Sequence, residues 1–386
     1  MSKKKKILFV NGHLNVGGIE KSLTDILRHI DYNKYDVDLL LLEETGDYID
    51  ELPESVNILL KSLKNTYGSF WGCISKCIQK RDWFSLKMRL VFLLMKLFGQ
   101  NKVKLVENML TKKKNYDIAV GFRPGICTQL VAYAIHAEKK IAWWHHGEFN
   151  VSVSEYEEQL KNCDILVSVS DSCARMIADN IPEISNKIVV VPNMIDSELL
   201  EKKSGNFSPY ADDIIQLVTV GRLSQEKHME NVIYAARQLK EDGHSFKWHI
   251  VGDGVLRDDL ERIRQKENVC DCVIFEGAKK NPYPYIKNAD LYVHPSYVES
   301  QGITILEAMS LHIPCVVTKS RGSCEFIEDG DNGILVNQGW KALAAGVKQL
   351  LENRELYKKI EVKTGCPMQF QASKVMEKIY RVFEKV

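Results

Sequence analysis

The sequence predicts an α/β protein with two tandem domains, each built on a doubly wound parallel sheet. Three observations carry this. The 386 residues exceed one ordinary domain. Short apolar runs of strand length alternate with segments of 3.6-residue apolar period. The alternation breaks near residue 200 and begins afresh near 215. Such strand–helix order implies parallel strands joined by crossovers.

In the first domain, Lys6–Val10 reads as a buried strand, followed by a loop with Gly12, Gly17 and Gly18. A helix follows, with Ile19, Leu23, Ile26, Leu27 and Ile30 on one face. Further strands are expected at 36–42, 118–121, 140–144, 165–169 and 188–191, with Ser170–Ser172 capping a helix. Lys202, Lys203, Ser204, Gly205, Asn206 and Pro209 make 200–213 look like a linker. The second alternation has strands at 215–220, 246–251, 273–275, 291–293, 313–317 and 333–336. Helices are expected over 229–241 and from about Gly302. From Ala372 an amphipathic helix sets Val375, Met376, Ile379, Val382 and Phe383 on one face. The expected domains are 1–200 and 201–370, with 371–386 as a C-terminal helix packing back on the first.

Composition limits the function classes. Hydrophobic residues make up 45% and charged residues 27%, so a globular chain is expected rather than a disordered one. After the basic Met1–Lys6, the apolar run Ile7–Val10 is too short for a secretory signal core. No stretch reaches the roughly 20 apolar residues of a membrane span. The ten cysteines include no Cys-x-x-Cys pair, so reduced thiols are expected rather than a zinc site or disulfide framework.

Ligands of doubly wound sheets bind beyond the carboxyl ends of the strands. The most informative loop there is His294–Met309, HPSYVESQGITILEAM. A helix starting near Gly302 leaves the amides of Gly302, Ile303 and Thr304 free, which suits a diphosphate. Glu299 and Glu307 flank that cluster and could accept bonds from sugar hydroxyls. An ordinary helix cap with surface glutamates would look the same in isolation. Arg222 and Lys227, in Gly221-Arg-Leu-Ser-Gln-Glu-Lys227, also follow a strand and could neutralise a departing diphosphate without a metal.

Together these segments resemble glycosyltransferase family four, which has the GT-B fold of two Rossmann-like domains facing across a cleft. The resemblance rests on Gly17-Gly18, VGRLSQEK at 220–227, VGDG at 251–254, FEG at 275–277, Pro314, and Glu299 and Glu307 with seven residues between them. It covers nearly the whole chain and is strongest from about 215 to 340. It implies a retaining, metal-independent transfer of a sugar from a nucleotide-sugar donor, UDP-linked by the family's commonest usage. Arg222 and Lys227 would hold the donor diphosphate, Glu299 would lie by the sugar, and Glu307 would bind the ribose. Gly277 would line the base pocket. Gly17 and Gly18 would make room for donor phosphate or acceptor. Gln301 stands where the family often has Phe, beside Gly302, Ile303 and Thr304 at the donor.

Trp143-Trp144-His145-His146-Gly147-Glu148 follows a predicted strand. The resemblance implies one catalytic histidine here, and the sequence fits His145 and His146 equally. It further implies a front-face mechanism, the departing diphosphate taking the acceptor proton while Glu299 steadies positive charge. Asp36-Val-Asp38 has metal-type spacing but sits in a predicted strand, so no metal or other cofactor is expected.

Residues 61–114 hold 13 Lys and Arg against Asp82 and Glu107. Within them Trp83–Phe98 reads as a helix mixing bulky apolar side chains with cations. Segment 70–105 therefore suits an anionic membrane surface. Nucleic acid is a poorer partner, since no recognition motif accompanies the charge. The expected protein is cytoplasmic, peripheral on the inner face of the cell membrane, and acts on a glycan or lipid-linked glycan acceptor in surface polysaccharide or glycolipid assembly. Two alternatives stay open: a sugar-nucleotide epimerase on the same fold, and an inactive membrane-associated subunit that binds nucleotide sugar.

Overall fold

The computed structural model describes residues 3–43, 46–61, 70–98, 114–149, 152–205, 207–211 and 213–385. The chain divides into two compact units, Met1–Val191 with Met376–Val386, and Pro192–Val375.

The first unit holds β1 (Lys5–Asn11), β2 (Tyr35–Leu41), β3 (Val56–Leu60), β4 (Tyr116–Gly121), β5 (Ala137–Trp144), β6 (Ile165–Ser168) and β7 (Ile188–Val190). They form one parallel sheet in the order β3-β2-β1-β4-β5-β6-β7. Ile7, Leu8, Phe9 and Val10 are all fully buried. This is the signature of a central strand covered on both faces, and it explains the unbroken apolar run. The strand order reverses at β1, so the ends of β1 and β4 make a switch point where ligands settle in such folds.

The second unit repeats the plan with β8 (Ile215–Val220), β9 (Phe246–Val251), β10 (Val273–Gly277), β11 (Leu291–His294), β12 (Cys315–Thr318) and β13 (Ile334–Val336), in the order β10-β9-β8-β11-β12-β13. Its strands bury alternate residues on opposite faces. Leu217, Trp248, Val293 and Val316 pack with Ile233, Leu239 and Val347, whereas Val218, Tyr292 and Cys315 pack with Ile305, Leu306 and Met309. The switch point here lies between β8 and β11, the strands that feed Arg222 and Glu299.

The final helix, Ala372–Glu384, buries Val375, Met376, Ile379, Val382 and Phe383, the face read from its periodicity. Tyr380 stacks on Tyr35 with ring centroids 5.7 Å apart, and Phe383 meets Phe9 edge-on.

Several elements differ from expectation. The start of the expected linker is helical: Ser197–Ser204 forms a helix whose start is capped by Asp196, which accepts the Leu199 amide at 2.9 Å. Buried Leu200 anchors it, and that one apolar contact outweighs the Lys, Ser and Gly that suggested a loop. Strand β3, a five-residue edge strand, had no distinct pattern. Helices Trp340–Glu352 and Arg354–Lys363 also went unread.

In the basic segment, residues 62–69 and 99–113 lie outside the described residues. Helices Phe70–Gln79 and Trp83–Phe98 flank a short turn. They bury Cys73, Cys77, Ser85 and Met88 while exposing Trp71, Ile78, Trp83 and Leu90 beside Lys76, Lys80, Arg81 and Lys87. No helix among the described residues is long and apolar enough to cross a membrane.

Candidate active site

In the second unit, the loops after β8, β9 and β10 are joined backbone to backbone. Gly221 N bonds Val251 O, Leu223 N bonds Asp253 O, and Gly252 N bonds Gly277 O. Such approach demands glycine. A Cβ on Gly252 would lie 1.8 Å from Gly221 O, and one on Gly254 would lie 2.4 Å from Leu223 O. This is the physical content of the VGDG segment. Gly277 has φ +74°, and a Cβ there would meet nothing within 4 Å. It therefore borders open space.

The loop after β8 is also fastened to the loop after β11. Ser296 Oγ donates to Glu226 O, and the His228 ring stacks on Tyr297 with centroids 3.7 Å apart. Lys227 Nζ meets Glu299 Oε1 at 2.5 Å. The same oxygen lies 2.7 Å from His294 Nε2. Burial alone would raise the Glu299 carboxyl. The neighbouring Lys227 ammonium and His294 imidazole outweigh it and hold the group well below the usual carboxylate range. Glu299 is thus an anion at any physiological pH. Arg222 is exposed at the end of β8 and forms no ion pair with any described residue.

Glu299 leads into helix Ile303–Ser310, whose N-cap is Gly302. Gly302 has φ +81°, and a Cβ there would press on the Ile305 side chain at 2.8 Å. The helix's own bonds start with Ile305 N and Leu306 N on Gly302 O, so the amides of Gly302, Ile303 and Thr304 have no protein acceptor among the described residues. The free-amide cluster read from the sequence is present. Gln301 behaves differently from a sugar-facing side chain. It is buried, accepts from Asn193 N at 2.7 Å and Nδ2 at 2.9 Å, and donates to Asn193 O at 3.1 Å. Its side chain is spent on the start of the second unit, leaving its backbone beside the amide cluster. Glu307, in the second turn, is buried and accepts from Tyr283 OH at 3.0 Å.

Three contributors carried no sequence signal as site residues. Tyr292 and His294 lie on β11 behind Glu299. Gly322 packs so tightly on the Glu299 loop that a Cβ there would fall 2.7 Å from Glu299 O and 2.9 Å from Gln301 N. The two β11 residues share the strand's alternation, and that period could have flagged them.

In the first unit, Gly17 is the extended N-cap of helix Gly18–His29. A Cβ on Gly17 would meet Glu20 Oε2 at 2.4 Å. Glu20 is buried and accepts from Arg123 Nη1 at 3.2 Å, and that nitrogen is 3.1 Å from His13 Nε2. The sequence did not single out this cluster at the ends of β1 and β4. Asp38 is spent: it accepts from Tyr116 OH at 2.6 Å, Asn57 Nδ2 at 2.6 Å and Lys114 Nζ at 2.9 Å.

The two histidines after β5 separate clearly. His145 is buried against Phe122, ring centroids 4.7 Å apart, and its Nε2 has no hydrogen-bond partner among the described residues. His146 is partly exposed, and its carbonyl accepts Trp144 Nε1 at 2.6 Å. Burial pushes the His145 imidazole down to about 3, helped by neighbouring His146. Between pH 3 and 6.5 the unfolded chain therefore carries a proton here that the folded chain lacks. Stability should rise with pH across that window, by about 1.4 kcal/mol per pH unit from this group, and level off above it. Denaturant unfolding at pH 4 to 7 should show His145→Leu flattening the slope, and an unchanged slope would contradict the buried neutral imidazole.

The chain is similar to known glycosyltransferases in sequence and in fold. Residues 203–364 match the family model described as Glycosyl transferases group 1. A Campylobacter jejuni N-acetylgalactosamine-N,N'-diacetylbacillosaminyl-diphospho-undecaprenol 4-alpha-N-acetylgalactosaminyltransferase is 25% identical over 363 residues, covering 89% of this chain and 90% of the relative. The alpha-D-kanosaminyltransferase of Streptomyces kanamyceticus is 35% identical over 148 residues, 38% of either chain. The putative glycosyltransferase EpsD of Bacillus subtilis is 30% identical over 43% of either chain, so these two relatives are matched over well under two thirds of their length. Among solved structures, Anabaena Alr3699/HepE in complex with UDP and glucose superposes with TM-score 0.70 at 17% identity, over 99% of this chain and 100% of that one. Staphylococcus aureus TarM, in complex with UDP and other ligands, gives 0.71 at 15%, with the same coverage. Residues 203–364 of the second unit are thus similar to the group 1 glycosyl transferases, and the chain has the GT-B fold of those solved structures.

Proposed function

We propose that the protein transfers a sugar from a nucleotide-sugar donor, UDP-linked, to a glycan or lipid-linked glycan in surface polysaccharide or glycolipid assembly. The observation that carries this is the unbonded amide cluster Gly302–Thr304 lying next in sequence to the Lys227–Glu299 pair. Amides at a helix start, with Arg222 and Lys227, suit a diphosphate leaving group. The complexes of HepE with UDP and glucose and the lipid diphosphate in the Campylobacter relative's name support the donor and acceptor classes.

In this scheme Arg222 and Lys227 neutralise the departing diphosphate, so no metal is required. The acceptor proton passes to that diphosphate and the configuration at the anomeric carbon is retained. Glu299 lies by the sugar and steadies the positive charge that grows there. Gly277 borders the base and Glu307 the ribose. His145 is the histidine we assign to the reaction, because its Nε2 is neutral and unpartnered. The test is a screen of UDP-, GDP- and ADP-sugars in the presence of a chelator, following nucleotide release and the anomeric configuration of the product. Release from one donor with retention is expected. Release only on metal addition would contradict the metal-free scheme, and an inverted product would contradict the front-face path.

We further propose that the helices 70–79 and 83–98 rest on an anionic membrane, which fits a lipid-linked acceptor. Trp71 and Trp83 beside exposed cations suit the interface, where aromatic rings and basic groups each find their medium. Co-sedimentation with phosphatidylserine vesicles is expected at low salt, weakening as salt rises. The double variant Trp71→Ala, Trp83→Ala should bind less. No co-sedimentation of the unaltered protein at low salt would contradict membrane docking.

A further inference from the structure

A chain of hydrogen bonds runs behind Glu299. Tyr292 and His294 are two apart on β11, so they share a face. Both are buried, and their rings stack with centroids 6.0 Å apart. Tyr292 Oη lies 3.1 Å from His294 Nδ1 and 2.8 Å from Thr304 Oγ1. His294 Nε2 lies 2.7 Å from Glu299 Oε1. Two residues, His294 and Tyr292, thus link Glu299 to Thr304 at the second position of helix Ile303–Ser310, where the unbonded amides are.

The protons on this chain are constrained. An ionised carboxylate only accepts, so the His294 nitrogen facing Glu299 must carry a hydrogen. In a neutral imidazole, Nδ1 is then bare and needs a donor, and the Tyr292 hydroxyl is in reach. As placed, that hydroxyl donates to Thr304 Oγ1, and to serve a neutral ring it would turn to Nδ1. Were the ring charged, both ring nitrogens would donate and the Tyr292 hydroxyl would keep its bond to Thr304. In either case Nε2–H stays on Glu299. Lys227 approaches the same Oε1. A diphosphate that draws Lys227 away would leave His294 as the one partner among the described residues still holding that oxygen.

We propose that His294 is a positioning residue, whose Nε2–H holds the Glu299 carboxylate in place while the Tyr292 and Thr304 hydroxyls fix the imidazole. This rests on the proposed transfer reaction and deepens it. Its role is to keep Glu299 oriented in the donor complex, after Lys227 has turned to phosphate.

Steady-state kinetics and UDP binding on wild type, His294→Leu, His294→Gln and Tyr292→Phe test it. Glutamine places an N–H near the imidazole Nε2, whereas leucine keeps only volume. His294→Leu should lower kcat by about 10²-fold, as for a misplaced group, with UDP affinity unchanged within about threefold. His294→Gln should recover most of kcat, and Tyr292→Phe should fall between. If His294→Leu fails to fold, the glutamine and phenylalanine variants still decide. Equal loss of kcat in His294→Gln and His294→Leu, or wild-type kcat in both His294→Leu and Tyr292→Phe, would overturn the positioning role. A wild type that neither binds UDP nor turns over any sugar nucleotide would instead overturn the reaction on which it rests.

Discussion

Lys227→Ala should lower kcat/KM for the donor by about 10²–10³-fold, the usual loss when one charge partner of a developing anion is removed. A second effect separates this site from a simple phosphate contact. Lys227 is also the cation that offsets the buried Glu299 carboxylate. Removing it leaves that carboxylate buried with His294 alone, so the Glu299 group should rise toward the ordinary range. Leaving one member of a buried pair unpartnered costs about 3 kcal/mol or more. The sign follows from linkage. In the wild type, Glu299 sits below its unfolded value, so its contribution to stability is present above about pH 4.5 and is lost only in strong acid. In Lys227→Ala the variant should be less stable at pH 7, and the gap should narrow as pH falls and the carboxyl takes up a proton. The double variant Lys227→Ala, Glu299→Gln should regain stability without regaining activity. Denaturant unfolding and donor turnover on the wild type and the two variants measure both effects. Stability lost equally in the single and double variants would mean that the ion pair is not the cause.

Gly322→Ala should be the second severe change. The added Cβ would strike three backbone atoms of the Glu299 loop, at 2.7 to 2.9 Å. Backbone cannot yield as a flexible side chain can, so residues 299–301 must shift. A displacement near 1 Å at a reacting group costs about 10²-fold. Turnover should fall by about that much, while far-UV circular dichroism stays that of wild type. Full activity in Gly322→Ala would show that the Glu299 loop tolerates the displacement.

The legibility of this chain divides along physical lines. Buried parallel strands were easy, because Ile215–Val220 and Phe246–Val251 are apolar runs ended by Gly221 and Gly252, and both ends fall where expected. The helix start at Gly302 was equally plain, since glycine before an apolar helix marks a position of positive φ. What the sequence hides is which side chain spends its bonds on another. Gln301 was read as lying at the donor, but its amide is consumed by Asn193, more than a hundred residues earlier. His294 reads in the sequence only as the first residue of the loop 294–309, and its importance comes from Tyr292 and Glu299 on either side of its ring. Gly322 acts through closeness to a loop that no periodicity links to it. His145 and His146 could not be told apart from neighbours in the chain, and were separated only when Phe122 closed over one of them. The helix at 197–204 was missed because a single capping aspartate and one buried leucine outweighed six residues of loop-like composition.

The most direct measurement is a calorimetric titration of UDP, GDP and ADP into the full chain with chelator present, repeated on Arg222→Ala. Arg222 is the exposed, unpaired cation at the end of β8, so its loss should weaken binding without disturbing the Glu299 cluster. One nucleoside diphosphate is expected to bind at one site per chain, more tightly than its monophosphate, and at least tenfold more weakly in Arg222→Ala. No binding of any nucleoside diphosphate, or equal binding by Arg222→Ala, would contradict a donor site built from residues 220 to 307.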